Sequence, residues 1–474
     1  MNHFLNKCQQ IIQVWKRFKL LVILWLNQIE MLTEEKMSVN SERKWFSESR
    51  YGLFIHFGLY SVAGRHEWVQ TLEEISVADY QKYLDQFDPD LLDPHEWAQK
   101  AKEAGFKYVI ITAKHHDGFC LWHTKETEYH IGKTPYQRDL LGELIEAFRE
   151  VGIKIGLYYS LLDWHHPDFL VDGYHPMRNN PTYIEQHPGN MENYRQFMAN
   201  QVRELLTSYG TIDYLWFDFS YKSRDWGTSV GKGAQDWGSV ELEKMIHEIQ
   251  PNILINDRLD LHRGVLTPEQ FARSKAMDNE EEVWETVQTL NNSWGYDRDN
   301  LNFKTNEMVA KQLVDTVSKG GNFTMNIGPN ARGEWDDNSD SILSSVGQWL
   351  RKHGKAIYGA GLSSFTPPQD CRYTQKGNKL YLHIFSWPYR TILLPELGGK
   401  VKFAKLLNDG SEIRFVDTKH LGGERKATTN LYKEITEVHV KEALDPSMLM
   451  LNIPIKEPNV LIPVIELTLK EEEK

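Results

Sequence analysis

The chain has 474 residues, 41% hydrophobic and 25% charged, with a net charge of -12 and three cysteines. That size suits a large core and two domains, while dispersed acidic charge argues against a general binder of nucleic acid or of an anionic membrane. Cys8, Cys120 and Cys371 are too few and too scattered for a disulfide framework or a Cys-rich zinc site, which favours a reducing compartment. Aromatic residues reach 12%. They suit either a big core or a sugar-binding cleft, and composition alone does not choose.

Residues 1–44 read as an N-terminal extension. FKLLVILWL, Phe18 to Leu26, is too short an apolar run to span a membrane. Basic residues precede it, as in a secretory signal, but no small-residue cleavage site follows. Met31 and Met37 offer alternative starts. A cytoplasmic location is therefore expected, with secretion as the alternative if the stretch is a signal.

Across residues 45–363 short apolar runs alternate with amphipathic stretches. YGLFIHFG, YVIITAK, IKIGLYYS, IDYLWFDF, ILINDR, VWETVQ and NFTMNIGP read as strands. DPHEWAQKAKEAG, RDLLGELIEAFREVG, ENYRQFMANQVRELLTSYG and three later segments read as helices, several closed by Gly. Strands apolar on both faces and alternating with helices predict a parallel sheet, best closed as a (β/α)8-like barrel. No GxGxxG or GxxxxGK[ST] follows a strand, which removes the usual nucleotide folds. Residues 364–474 change texture. KLYLHIFSW, TILLPE, VKFAKLL, EIRFV, TEVHVK and VIELTLK predict an antiparallel β-sandwich domain.

In such a barrel the chemistry sits at the C-terminal strand ends. The predicted ends carry His56, then His115-His116-Asp117, Tyr158-Tyr159-Ser160, Trp216-Phe217-Asp218 and Asn256-Asp257-Arg258. Glu269 in LTPEQ and Trp284-Glu285 follow. His115 and His116 read as one core and one surface residue, as metal ligands, or as binders of several hydroxyls. Adjacent strand residues face opposite ways, which disfavours the metal, and imidazole both donates and accepts, which favours hydroxyls. Asp218, flanked by aromatics, bears a desolvation cost unless paired or used; the plain alternative is a loop-capping aspartate. Arg258 reads either as its charge partner or as an ordinary rim salt bridge. Trp68, Trp216, Trp284 and Trp294 are sugar platforms or core. A glycosidase needs a second carboxyl about 5 Å from the first for retention, or roughly 6.5–9.5 Å for inversion. Glu269, Glu285 and Glu67 are the candidates.

WFSESRYGLFIHFGLYSV, HEWV, AKHHDGFCLW, LYYSLLDWHHPDF, IDYLWFDF, INDR, WETVQTLNNSWGY and SKGGNFTMNIGPNARG together resemble the α-L-fucosidases of glycoside hydrolase family 29. The likeness runs from about Trp45 to Gly361, and GNKLYLHIFSWP resembles the start of that family's C-terminal sandwich. The resemblance implies retention through a covalent fucosyl-enzyme, with Asp218 as nucleophile. It places His56, Glu67, Trp68, His115, His116, Tyr159, Trp216, Arg258 and Trp294 around the sugar. Glu269 resembles the acid/base of some bacterial members and is preferred; Glu285 resembles the position argued for in animal members and is the alternative. No metal or organic cofactor is implied. The implied partner is a fucosylated oligosaccharide, and self-association stays open. Phe219 departs from the small residue many members carry there, and TMNIGPNARGEW departs from the commoner LNVGP-type ending. Rival readings are a retaining glycosidase for another deoxy or galacto-configured sugar, a non-catalytic carbohydrate-binding homologue, and a metal-dependent hydrolase.

Overall fold

The computed structural model describes residues 43–221, 231–271, 273–274, 283–420 and 445–471. The apolar run Phe18 to Leu26 and the predicted strand TEVHVK lie outside them. The predicted helices form where capping chemistry is supplied. Asp93 accepts from His95 N and Glu96 N ahead of Pro94–Ala104, Asp139 caps Leu140–Glu150, and Asn190 caps Met191–Ser208. Such caps contribute about 1 kcal/mol each. Gly105 closes the first of these helices at φ 95°, a conformation that an L side chain rarely adopts. Among the described residues no helix is long and apolar enough to cross a membrane.

Seven parallel strands form one sheet: β1 (Tyr51–Ile55), β2 (Tyr108–Lys114), β3 (Lys154–Ser160), β4 (Tyr214–Asp218), β5 (Leu254–Ile255), β6 (Glu285–Thr289) and β7 (Asn322–Ile327). Their spatial order is β5-β4-β3-β2-β1-β7-β6, so the edges to be joined are β5 and β6. Residues 265–270 join them. Val265 bridges Asn256 beyond β5, while Leu266 bridges Trp284 and Glu269 bridges Val287 on the other side. Val265 N donates to Ile255 O at 2.9 Å, Glu285 N to Leu266 O at 2.9 Å, and Gln270 N to Val287 O at 2.9 Å. The segment LTPEQ is thus the strand-like element that closes the barrel, and the run read as strand ILINDR is a true strand for only two residues. A tight helical turn, Asp257–Leu259, follows at once and ends it. Every residue of β1, β2, β4, β6 and β7 is buried, as a sheet covered on both faces requires.

The C-terminal part is two antiparallel sheets with a core of their own. One has the order β11-β14-β9-β8, from Val401–Leu406, Val464–Leu469, Lys379–Ile384 and Cys371–Lys376. The other has the order β10-β13-β12, from Thr391–Leu394, Leu449–Asn452 and Arg414–Asp417. The strands CRYTQK and LMLN escape a sequence reading because one is half polar and the other only four residues long. The β-sandwich is otherwise the predicted architecture.

Candidate active site

Side chains alternate along β4, so Tyr214, Trp216 and Asp218 project to one side, the barrel interior. Asp218 is the uppermost and sits at the strand end. Its Oδ1 accepts from Phe219 N at 2.9 Å and from Arg258 Nη1 at 3.1 Å, and its Oδ2 accepts from the Tyr158 hydroxyl at 2.8 Å. Phe219 has φ 75°, strained for a residue with a Cβ. That turn is what aims its N–H back at the carboxylate.

Arg258 also bonds Glu269 Oε1 through Nη2 at 2.5 Å, so one guanidinium holds both carboxylates. The same cation is fixed by Thr267, whose Oγ1 accepts from Nε at 2.9 Å and whose carbonyl accepts from Nη2 at 2.8 Å. It lies over the Trp216 ring, 5.0 Å from the centroid. The two acids differ in exposure: the Asp218 side chain is 11% exposed and that of Glu269 33%. One is therefore deep and the other faces the mouth. Burial is the main cause that pushes Asp218 up to about 7, with the Glu269 charge adding to it and Arg258 and Tyr158 opposing it. For Arg258 burial works against the charge, but Glu269, Asp218 and Asp257 outweigh it and raise its pKa.

Three imidazoles line the same space. His56 Nδ1 pairs with Asn326 Oδ1 at 2.6 Å, and His116 Nδ1 with Ser160 Oγ at 2.7 Å. The His115 ring stacks near Tyr158 at 5.5 Å and stands 5.5 Å from His56; its buried Nδ1 has no protein partner among the described residues. Burial drives His56 down to about 3 and both neighbours well below 6.5. All three are neutral near pH 7, able to give and take hydrogen bonds without adding charge. His115 and His116 share one side because the β2 ladder slips between Thr112 and Lys114 and the strand ends there. Beyond the pleat, adjacent residues need not oppose.

The remaining residues build the walls. Trp68 packs on His116 at 4.9 Å and on Phe219 at 5.1 Å. Trp294 lies 5.4 Å from His56, and its backbone N–H, with that of Gly295, donates to Glu67 Oε2 at 3.1 and 2.7 Å. Glu67 thus holds the loop that carries Trp294.

Two expected residues lie elsewhere. Tyr159 points outward from the barrel: its hydroxyl donates to Gln201 of helix Met191–Ser208 at 2.7 Å, and Lys114 Nζ lies 4.4 Å from its ring. Strand alternation makes Tyr158, not Tyr159, the inward residue, and Tyr158 bonds Asp218. Glu285 opens β6, at the far end from the rim, and is fully buried. Its carboxyl accepts from Tyr108, Tyr214 and Trp216 and does not meet Asp218 or Arg258. Trp284 is likewise buried, with Arg273 over its ring. Asn326 and Thr267 escape a sequence reading altogether. Tyr158 was readable from pleat parity, since β3 pairs it directly with Trp216.

The sequence profile of a protein family described as Alpha-L-fucosidase matches residues 26–355. The tissue alpha-L-fucosidase of Rattus norvegicus is 30% identical over 385 residues, 73% of this chain and 76% of that protein. Among solved structures, alpha-L-fucosidase isoenzyme 1 from Paenibacillus thiaminolyticus is 41% identical, with a TM-score of 0.82, covering 92% of this chain and all of the other. A GH29 alpha-L-fucosidase from Bacteroides thetaiotaomicron, 29% identical with a TM-score of 0.74 over 90% of this chain and 96% of its own, is a covalent intermediate trapped with 2-fluoro-fucosyl fluoride in a glutamate-to-glutamine mutant.

Proposed function

Since the chain belongs to the alpha-L-fucosidase family, we propose that Asp218 and Glu269 are the two carboxyls of its retaining reaction. The enzyme is a glycoside hydrolase that removes terminal α-L-fucosyl groups from fucosylated glycans through a covalent fucosyl-enzyme. The observation that carries the assignment is the shared cation: Arg258 hydrogen-bonds both carboxylates, Asp218 through Nη1 and Glu269 through Nη2.

The geometry suits the roles. Asp218 is held from three sides by Tyr158, Phe219 N and Arg258, so its attack on the anomeric carbon needs little reorganisation. The C–O bond to the leaving group breaks as the new ester bond to Asp218 forms. Glu269, nearer solvent, protonates the departing oxygen and then, ionised, takes a proton from the water that cleaves the ester. Arg258 bonds both acids and limits the repulsion between them. Neutral His56, His115 and His116 bind sugar hydroxyls, Trp68 and Trp294 provide apolar faces for the ring and its methyl group, and Trp216 supports Arg258 from below.

The test is release of nitrophenol from 4-nitrophenyl α-L-fucoside by wild type and by Asp218→Gly, each with and without azide. Turnover by wild type, a dead variant, and a β-fucosyl azide product on adding azide are expected. A variant as active as wild type would remove Asp218 from the mechanism.

A further inference from the structure

The carboxyl of Glu285 is fully buried at the start of β6, on the barrel floor, and it accepts from four side chains on three strands, β2, β4 and β7. Its Oε1 accepts from the Tyr214 hydroxyl at 2.8 Å and from Trp216 Nε1 at 3.0 Å. Its Oε2 accepts from the Tyr108 hydroxyl at 2.8 Å and from the Thr324 hydroxyl. The Tyr108 and Thr324 hydroxyl oxygens lie 2.7 Å apart. Three of these groups belong to the core alone. Trp216 belongs to both levels: its ring carries the Arg258 guanidinium at 5.0 Å and faces Tyr158 at 5.6 Å and 22°. Among the described residues Arg258 and Tyr158 are the two side chains that hydrogen-bond Asp218.

We infer that Glu285 is a positioning residue: by accepting the Trp216 indole N–H it fixes which edge of that ring points down, and so fixes the surface on which Arg258 and Tyr158 hold the nucleophile. An indole on a strand can turn over about its side-chain bonds, and its single N–H has one direction in which to donate. With Glu285 as acceptor, the N–H edge is directed to the floor and the ring face is left for the guanidinium. This deepens the fucosidase reading and rests on it. It gives the glutamate of WETVQ work distinct from proton transfer.

The two roles respond differently to amide substitution. Glu285→Gln keeps an oxygen for Trp216, and its amide can donate to the Tyr108 or Thr324 hydroxyl, so positioning survives. A proton-transferring acid does not survive that change, above all with a poor leaving group. The experiment compares wild type, Glu285→Gln, Glu285→Ala, Trp216→Phe and the Glu285→Ala/Trp216→Phe pair. Each is assayed on 4-nitrophenyl α-L-fucoside and on a fucosyl disaccharide, and L-fucose binding is measured by calorimetry. The expected result for Glu285→Gln is activity within about threefold of wild type on both substrates. For Glu285→Ala a loss of roughly ten- to hundredfold in kcat/KM is expected, equal on both substrates, unrescued by azide and matched by weaker L-fucose binding. Trp216→Phe keeps an aromatic face and loses the N–H together with the pyrrole ring, so the paired variant should lose little beyond the worse single one. Additive losses overturn the proposal, as does a Glu285→Gln defect confined to the disaccharide or azide rescue of Glu285→Ala. If Glu285→Ala fails to fold, Glu285→Gln on the two substrates and Trp216→Phe on L-fucose binding decide it. A wild type that cleaves neither fucoside overturns the fucosidase reading instead, while L-fucose binding still reports on Glu285.

Discussion

The Tyr158 hydroxyl donates to Oδ2 of Asp218 at 2.8 Å. Among the described residues it is the one hydrogen bond from a neutral side chain to that carboxylate, and it favours the ionised form over the protonated one.

Replacing Tyr158 by Phe removes a bond to a charged group, which contributes on the order of 1.5–3 kcal/mol. A loss of roughly ten- to hundredfold in kcat/KM on 4-nitrophenyl α-L-fucoside is therefore expected. The acidic limb of the pH profile should move to higher pH, because Asp218 becomes harder to ionise. Tyr159→Phe, one residue away but facing Gln201, should leave kcat/KM and the profile where they are. Steady-state kinetics of the two variants across pH separate the assignments.

Asp218 also sets a pH dependence of stability. In the unfolded chain the group titrates near 3.8, and in the folded protein burial first, then the Glu269 charge, raises it to about 7. The folded state then binds the extra proton between those values. Stability from this group is full below about 4 and is lost as pH rises through about 7. Asp218→Asn abolishes that loss. Its melting temperature should exceed that of wild type by a few degrees at pH 8 and approach it at pH 4.5, as scanning calorimetry would register. A gain that is larger at pH 4.5 than at pH 8 has the wrong sign for this account.

Glu269→Ala should spare substrates whose leaving group needs no proton. With 2,4-dinitrophenyl fucoside the first step should proceed and the fucosyl-enzyme accumulate. Added azide should then raise turnover and give α-fucosyl azide, since it attacks the intermediate rather than the substrate. NMR of the product reads the anomer. A β product would mean that Glu269 is the nucleophile.

Much of this was legible in the sequence, and for physical reasons. Buried strands flanked by capped helices leave few alternatives to a parallel barrel, and polar residues at the ends of apolar runs mark the rim. His56, His115, His116, Asp218 and Arg258, picked out that way, lie together at one rim of the barrel. What failed was the finer geometry. Tyr158 and Tyr159 are equally plausible until the pleat parity shared with Trp216 and Asp218 is applied. Glu269 and Glu285 are harder, because the difference lies in which end of a strand each occupies. LTPEQ contains a proline and does not look like a strand, yet it closes the barrel and carries Glu269 at its upper end. VWETVQ does look like a strand, and Glu285 stands at its start rather than its finish. Asn326 and Thr267 are short polar side chains in unremarkable contexts, and only three-dimensional contact shows that they hold His56 and Arg258.

The central claim is that Asp218 forms the covalent bond to fucose. Incubation of the wild-type enzyme with 2-fluoro-fucosyl fluoride, followed by intact-mass measurement and peptide mapping, tests it directly. One fluorofucosyl adduct per chain, on Asp218 in the peptide containing YLWFDF, is the predicted result. An adduct on Glu269, on Glu285 or on any other residue would contradict it.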